Sequence, residues 1–536
     1  MEAGIQKGVL VIFASDLTWI LLLPVIGALA ALVAPERIAR WLALIFSAAT
    51  FVLSLAIFFR IAANGYNFGN LNNPVDSIHL PWIDFTASTV HFRIDYFLGV
   101  DGLSLPLVIL NALLTMLAII GGWEKPRVKE YMALLLLLET GVMGVFISLD
   151  LLLFFLFWEV ELAPMFLLIG IWGYDTPKHG MPGRIYSAWK FLLYTFFGSI
   201  FMLAGILLLY FKMGGTTASM QFFSTHFLSG TVTIPLFGVT MSLQLLTFLL
   251  IYLAFAIKIP MFPFHTWLPD AHTDAPTEVS VILAGILLKM GAYGLIRVCL
   301  TLLPGGTHEF AGWLAVIAAI NIIYGAGICL VQTDMKRLIA YSSVSHMGIV
   351  LLGVAAAAGI GDIAFRQAAL TGATVQMVSH GLITGLLFFC VGVISDRAHT
   401  REIAVFGGIA KKMPLLATVF TFAGLASLGL PGLSGFVAEY MTFTSSYQIW
   451  NAVTIVSVFT MILTASYLLW MLSRVFYGPF NTKWNWLPDV NWREALPLIS
   501  LAAVIVFIGI FPNFLINVIT PTLYALMHAA GTAVIH

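Results

Sequence analysis

Apolar residues in this chain come in long uninterrupted blocks separated by short polar punctuation. A helix needs about 20 apolar residues to cross the ~30 Å hydrocarbon core of a bilayer. Fourteen blocks reach that length, near 17–34, 40–60, 95–120, 131–149, 151–172, 186–211, 242–262, 277–303, 310–331, 336–358, 367–394, 414–446, 452–476 and 496–519. The pattern predicts an all-α polytopic membrane protein with fourteen transmembrane helices. Most connections are short and hold turn residues such as Gly121-Gly122, Gly173 and Gly214-Gly215. The exception is 61–94, where Asn, Pro, His and Asp replace the aliphatic run and predict a small extramembrane hairpin.

Composition agrees and narrows the class. Hydrophobic residues make up 60% of the 536 and charged residues 9%, where a soluble protein carries about 25% charged. No segment is polar and long enough to be a soluble domain. The 25 basic and 25 acidic residues balance, so there is no basic stripe to displace counterions from a nucleic acid. Cys299, Cys329 and Cys390 are far apart in apolar runs, with no pair spaced for zinc or an iron–sulfur cluster. Residues 1–20 lack a basic start with a small-residue cleavage site and read as a retained lead-in to the first span.

Lysine and arginine stay preferentially on the cytoplasmic side. Alternating the sides of the fourteen spans puts seventeen cations on one side and six on the other. That bias predicts both termini on the non-cytoplasmic side. Lys258 and Lys289 belong to neither set, because both lie inside apolar runs.

An ionisable group at mid-membrane costs about 2.5–3.5 kcal/mol on insertion scales and therefore marks a partner, a cavity or a function. Glu139 interrupts the fourth span, Glu159 and Glu161 the fifth, Lys258 the seventh, Lys289 the eighth and Glu439 the twelfth, while His346 and His380 sit in the tenth and eleventh. Residues two apart on a helix point about 200° apart, so Glu159 and Glu161 cannot face one cavity. Burial pushes carboxylates and lysines towards neutrality, where they exchange protons at cellular pH. Four deep carboxylates against two lysines leave some unpaired. A lattice of fixed salt bridges is the structural alternative, and the histidines fit either.

Two spans are broken by proline and glycine, the seventh at Lys258-Ile-Pro260-Met-Phe-Pro263 and the twelfth at Gly429-Leu-Pro431-Gly432. Each break is the fourth helix of a five-span set, and an odd number of spans inverts the second copy. The expected organisation is 1–130 (three helices and the hairpin), repeats at 131–303 and 309–476, and a last helix in 477–536. Between the seventh and eighth spans, His265, Asp270, His272, Asp274 and Glu278 lack zinc-site spacing. They predict an acidic, proton-collecting entrance on the cytoplasmic side.

The runs WEVELAPMFLLIGIWG at 158–173, AFAIKIPMFPFHTWLPDAHTDAPTEVSVILAGILLKMGAYGLIR at 254–297, DMKRLIAYSSVSHMGIV at 334–350 and PGLSGFVAEY at 431–440 resemble the antiporter-like membrane subunits of respiratory complex I. The resemblance covers most of the chain. It implies inverted five-helix repeats in the inner (plasma) membrane and proton pumping driven by quinone reduction elsewhere in the complex. FMN, iron–sulfur clusters and quinone would belong to partner membrane and peripheral subunits, with no cofactor in this chain. Carried over by position, Glu159 matches the family's fifth-span glutamate, Lys258 the seventh-span lysine that pairs with it and Lys289 the central eighth-span lysine. His346 and Glu439 match the tenth-span histidine and the twelfth-span exit residue, and His380 is similar to an eleventh-span histidine. Glutamate rather than lysine at 439 resembles the M (chain 4) branch. The WExEL form at 158–162 leaves NADH and ferredoxin both open as donor. An Mrp-type cation/proton antiporter subunit and a membrane-bound hydrogenase subunit are the nearest alternatives.

Overall fold

The computed structural model describes residues 13–535 apart from 66, 88–89, 177, 179, 229–232 and 237–238. Residues 1–12 of the expected lead-in, with Lys7, lie outside the described residues. Among the described residues eleven helices are long and apolar enough to cross a membrane, from Asp16–Val33 to Trp492–Ile510, and Leu105–Gly121, Leu243–Lys258 and Pro414–Ser427 are shorter apolar helices in the order the sequence predicts. Side-chain caps fasten several helix starts. Asp150 accepts from Leu152 and Leu153 N–H at 2.9 and 3.0 Å, Asp334 from Arg337 and Asp362 from Ala364. Such caps satisfy end donors that helix geometry leaves without partners.

Burial separates an inner row of helices from a more exposed outer ring. The apolar windows of the eighth span (Thr277–Leu300) and the eleventh (Ile363–Ala398) are wholly buried, whereas only a third or less of those in Glu36–Ala63 and Trp492–Ile510 is. Lys289 and His380 therefore sit on the two helices furthest from lipid. The breaks divide the seventh and twelfth spans. Leu243–Lys258 is followed by a short helix, Trp267–Asp274, and Pro414–Ser427 by Ser434–Tyr447. Backbone freed at the first break is satisfied from neighbouring helices: Asn321 Oδ1 accepts from Phe262 N–H at 2.7 Å, and Trp267 Nε1 donates to Ile257 O at 2.9 Å.

One face of the bundle carries an antiparallel hairpin of β1 (Val75–Ala87) and β2 (Val90–Val100), with Ile78 opposite Leu98 and Leu80 opposite Tyr96. Leu149 N–H donates to Phe97 O at 2.9 Å, and Arg93 N–H to Tyr210 Oη at 3.0 Å. On the opposite face Tyr174 N–H donates to Asp274 O, Met335 N–H to Arg401 O, and Arg493 pairs with Glu124. This second face gathers loops of the larger cation set.

Two expected boundaries move most. The third span begins at Leu105, not 95, because the hairpin runs on through Val100 and Asp101 turns the chain by accepting from Leu103 and Ser104 N–H. The fourteenth span ends at Ile510 rather than 519, since Phe511-Pro512 interrupts it and a separate helix, Asn513–Ile535, follows. That last helix lies on the hairpin face, where Thr522 Oγ1 accepts from Gly102 N–H at 2.9 Å and donates to Gly69 O at 2.8 Å. Only glycine fits at 102, where a Cβ would lie 2.0 Å from Val518 O. The eighth span contains two stretches of π-helix, Leu283–Leu287 and Leu295–Leu300, which apolar periodicity does not reveal.

Candidate functional site

Lys258 is the last residue of its helix, at the first break, and its ammonium forms a buried ion pair with Glu161. Trp158 and Phe191 present their rings 5.5 Å from Nζ, so the pair is enclosed in apolar and aromatic surface. The sequence expectation gave this partnership to Glu159; the structure gives it to Glu161. The fifth span makes a turn at Glu161, between Leu151–Val160 and Leu162–Trp172, and the side facing the seventh span carries 161. Glu159 is only half buried and faces Ser199, with the Lys258 charge still within reach.

Lys289 is fully buried, and its Nζ hydrogen-bonds to Ala284 O at 2.5 Å and to His380 Nδ1 at 2.7 Å. Ala284 lies in the first π stretch, five residues back, so local unwinding supplies the carbonyl that the ammonium takes. The His380 ring centre is 5.7 Å from that of His346. His346 Nδ1 lies 3.3 Å from Glu439 Oε1, and its Nε2 lies 3.3 Å from Ser427 Oγ. His346, His380, Gln376, Ser427 and Glu439 line a cavity of about 10 Å³, close to the room one water needs. The second break shapes this end. Gly429 has φ +80, and a Cβ there would come within 2.8 Å of Glu439 Oε2.

The order along this row is therefore Lys289, His380, His346, Glu439. His380, which the sequence placed only as similar to an eleventh-span histidine, is the residue that meets Lys289, ahead of His346. Gln376 and Ser427 were not singled out in the sequence. Gln376 lies one helical turn before His380, an i, i+4 pair of polar residues in an apolar span, which was a legible signal.

Other candidates fall elsewhere. The Glu139 carboxylate faces Ser47 of the second span, and neither oxygen has a close hydrogen-bond partner. Its backbone carbonyl accepts from Asn111 Nδ2 at 3.1 Å. Glu139 thus belongs to a polar spot among the second, third and fourth spans. His272 is buried and stacked on Phe388, with both ring nitrogens unpartnered. His265 packs against Phe262 and Tyr324.

The segment expected to be an acidic proton collector is charge-matched instead. Asp270 pairs with Lys190 at 2.7 Å and Lys178 at 3.1 Å, Asp274 with Lys178 at 2.7 Å, and Glu278 with Lys125 at 3.3 Å. Lys125 and Lys178 come from loops that fold back over it and Lys190 from the sixth-span helix Gly183–Lys212, which chain order alone does not show. Burial pushes the Asp270 carboxyl up, but the hydrogen bonds and charges of the two lysines outweigh it and hold it below 3.8. At the neighbouring Tyr174, burial and then the Asp396 charge raise the phenol to about 12. Among the described residues no three His, Cys, Asp or Glu side chains converge as a metal-ligand set.

A polytopic bundle with paired broken helices and a buried row of carboxylate, lysine and histidine side chains defines a class of ion-translocating membrane proteins. The chain belongs to the family described as NADH:quinone oxidoreductase/Mrp antiporter, transmembrane, whose model matches residues 148–464. It is 41% identical over 495 residues to NADH-quinone oxidoreductase subunit M of Rhodobacter capsulatus, covering 91% of this chain and 90% of that one. It is 40% identical over 521 residues to NAD(P)H-quinone oxidoreductase chain 4 of Gloeobacter violaceus, covering 94% and 91%. Among solved structures, a chain of respiratory complex I from Thermus thermophilus with bound NADH superposes with a TM-score of 0.81 at 27% identity, covering 96% and 99%. A chain of the Mrp complex from Dietzia shares the fold, with a TM-score of 0.77 at 20% identity.

Proposed function

We propose that this chain is the proton-translocating M-type subunit of a complex I-like quinone oxidoreductase. The observation that carries the proposal is the row Lys289–His380–His346–Glu439, buried and within one proton-transfer contact at each step save one cavity-sized gap. The names of the relatives support the redox assembly. In it, partner subunits hold FMN, iron–sulfur clusters and quinone, while this chain moves protons.

In the proposed cycle a proton reaches Lys289 from the face that carries the larger cation set, near 265–278. The Lys258–Glu161 pair sets how readily Lys289 holds it. When the pair opens, an uncompensated charge is left near Lys289, and at a few ångströms in a poorly solvated site such a charge is worth about a few kcal/mol. Lys289 hands its proton to His380 Nδ1, His380 relays to His346 across the cavity, and Glu439 releases it on the hairpin face. The five-span sets at 131–303 and 309–476 act as one proton-loading and one releasing half. Both termini lie on the non-cytoplasmic side of the inner membrane.

The test is quinone-reduction-driven acidification of vesicles holding the purified complex in sodium-free medium. Retained acidification that falls in Glu439→Gln supports the proposal. Sodium-dependent exchange by the isolated chain, with no redox-driven proton movement, contradicts it and favours the Mrp-type reading.

A further inference from the structure

A groove of about 630 Å³ opens between the start of the second span and the start of the fourteenth, over the end of the third. Arg37, Arg40 and Arg493 line it together with Trp41, Trp123 and Trp492. Its lining holds no carboxylate; Glu124, at 2.8 Å from Arg493, sits outside the lining and is largely exposed. Arg40 Nε is buried and has no hydrogen-bond acceptor among the described residues. Cations at a cytoplasmic helix end follow from the orientation bias alone. Three guanidiniums from two distant helices converging in one concave site, with a buried donor left open, do not.

Two exposed apolar rows begin in this groove. On the second span the exposed side chains Trp41, Ile45, Val52 and Phe59 share one helical face, and on the fourteenth Trp492, Leu496, Ile499 and Ile510 do the same. A ligand that satisfies the groove and both rows carries a negative headgroup and two acyl chains. We propose that the groove is a binding site for an anionic phospholipid, its phosphodiester held by Arg37, Arg40 and Arg493 and its chains laid along the two rows. Indole rings at headgroup depth, and basic pockets between helices on the cytoplasmic side, fit that chemistry.

The experiment embeds the purified complex in phosphatidylcholine nanodiscs doped with photoactivatable phosphatidylglycerol or, in parallel, photoactivatable phosphatidylcholine, and maps the labelled peptides. Phosphatidylglycerol should label residues 37–45, 120–123 and 492–499, and phosphatidylcholine should not. Arg37→Gln and Arg40→Gln should each lower that labelling about fivefold, Arg40→Lys less so. Labelling along the sixth span in the same samples reports an intact fold. Equal labelling by the two lipids, undiminished labelling in the Arg37→Gln/Arg40→Gln variant, or crosslinks from a photoreactive residue at Trp41 that fall on a neighbouring polypeptide overturn the proposal.

Discussion

Single side chains carry the proposed proton row. Glu161 and Lys258 are both essentially without solvent contact, and removing one partner of a buried pair costs about 3–5 kcal/mol because the other charge is left uncompensated. Glu161→Gln should therefore lower the thermal stability of the complex and abolish pumping, whereas Glu159→Gln, at a half-buried site facing Ser199, should do far less to either. Equal effects in a melting curve and a pumping assay would return the role to Glu159. Positioned proton transfer contributes about a hundredfold or more in rate, so His380→Leu should slow proton release by about that factor and His346→Leu comparably. Single-turnover proton release in proteoliposomes checks this; a silent His380 would mean that Lys289 delivers its proton by another path. Asp270 carries a pH signature. Its carboxyl is held below 3.8 by Lys190 and Lys178, so its contribution to stability is complete above 3.8 and lost as pH falls through the lowered value. Asp270→Asn should be less stable at neutral pH and should lose less on acidification than the parent chain in a pH series of melting curves.

At the scale of elements, the deformations in the helices are what bring charges together. The π stretch in the eighth span gives Lys289 a carbonyl, and the break in the twelfth lets Gly429 pass against the Glu439 carboxylate. A Cβ at 429 meets Glu439 Oε2 at 2.8 Å, and a left-handed conformation costs a non-glycine residue about 1–2 kcal/mol. Gly429→Ala should thus displace Glu439 and lower pumping while leaving quinone reduction by detergent-solubilised complex near normal; paired assays of the two activities check it. The spans and both breaks were legible in the chain because lipid imposes a length and proline and glycine mark interruptions. The phase of each helix was not. Whether 159 or 161 faces Lys258, and whether His346 or His380 meets Lys289, depends on how helices rotate against neighbours distant in sequence. The same holds for Lys178 and Lys190, which neutralise Asp270 and Asp274.

For the whole molecule, the balanced net charge conceals a polarised one, with the larger cation set on one face and the hairpin and last helix on the other. Cysteines placed at Asn64 and Lys411 should react with an impermeant maleimide from opposite sides of inside-out and right-side-out vesicles, with Lys411 on the cytoplasmic side; the reverse pattern would invert the proposed direction of transport. The proposed row turns on Lys289, which is buried and, among the described residues, has His380 as its one side-chain hydrogen-bond partner. The most direct measurement is the number of protons released per quinone reduced by proteoliposomes carrying Lys289→Ala beside the parent complex. A lowered ratio with quinone reduction still sensitive to inhibitors of the complex is the predicted result, and an unchanged ratio would contradict proton passage through this chain.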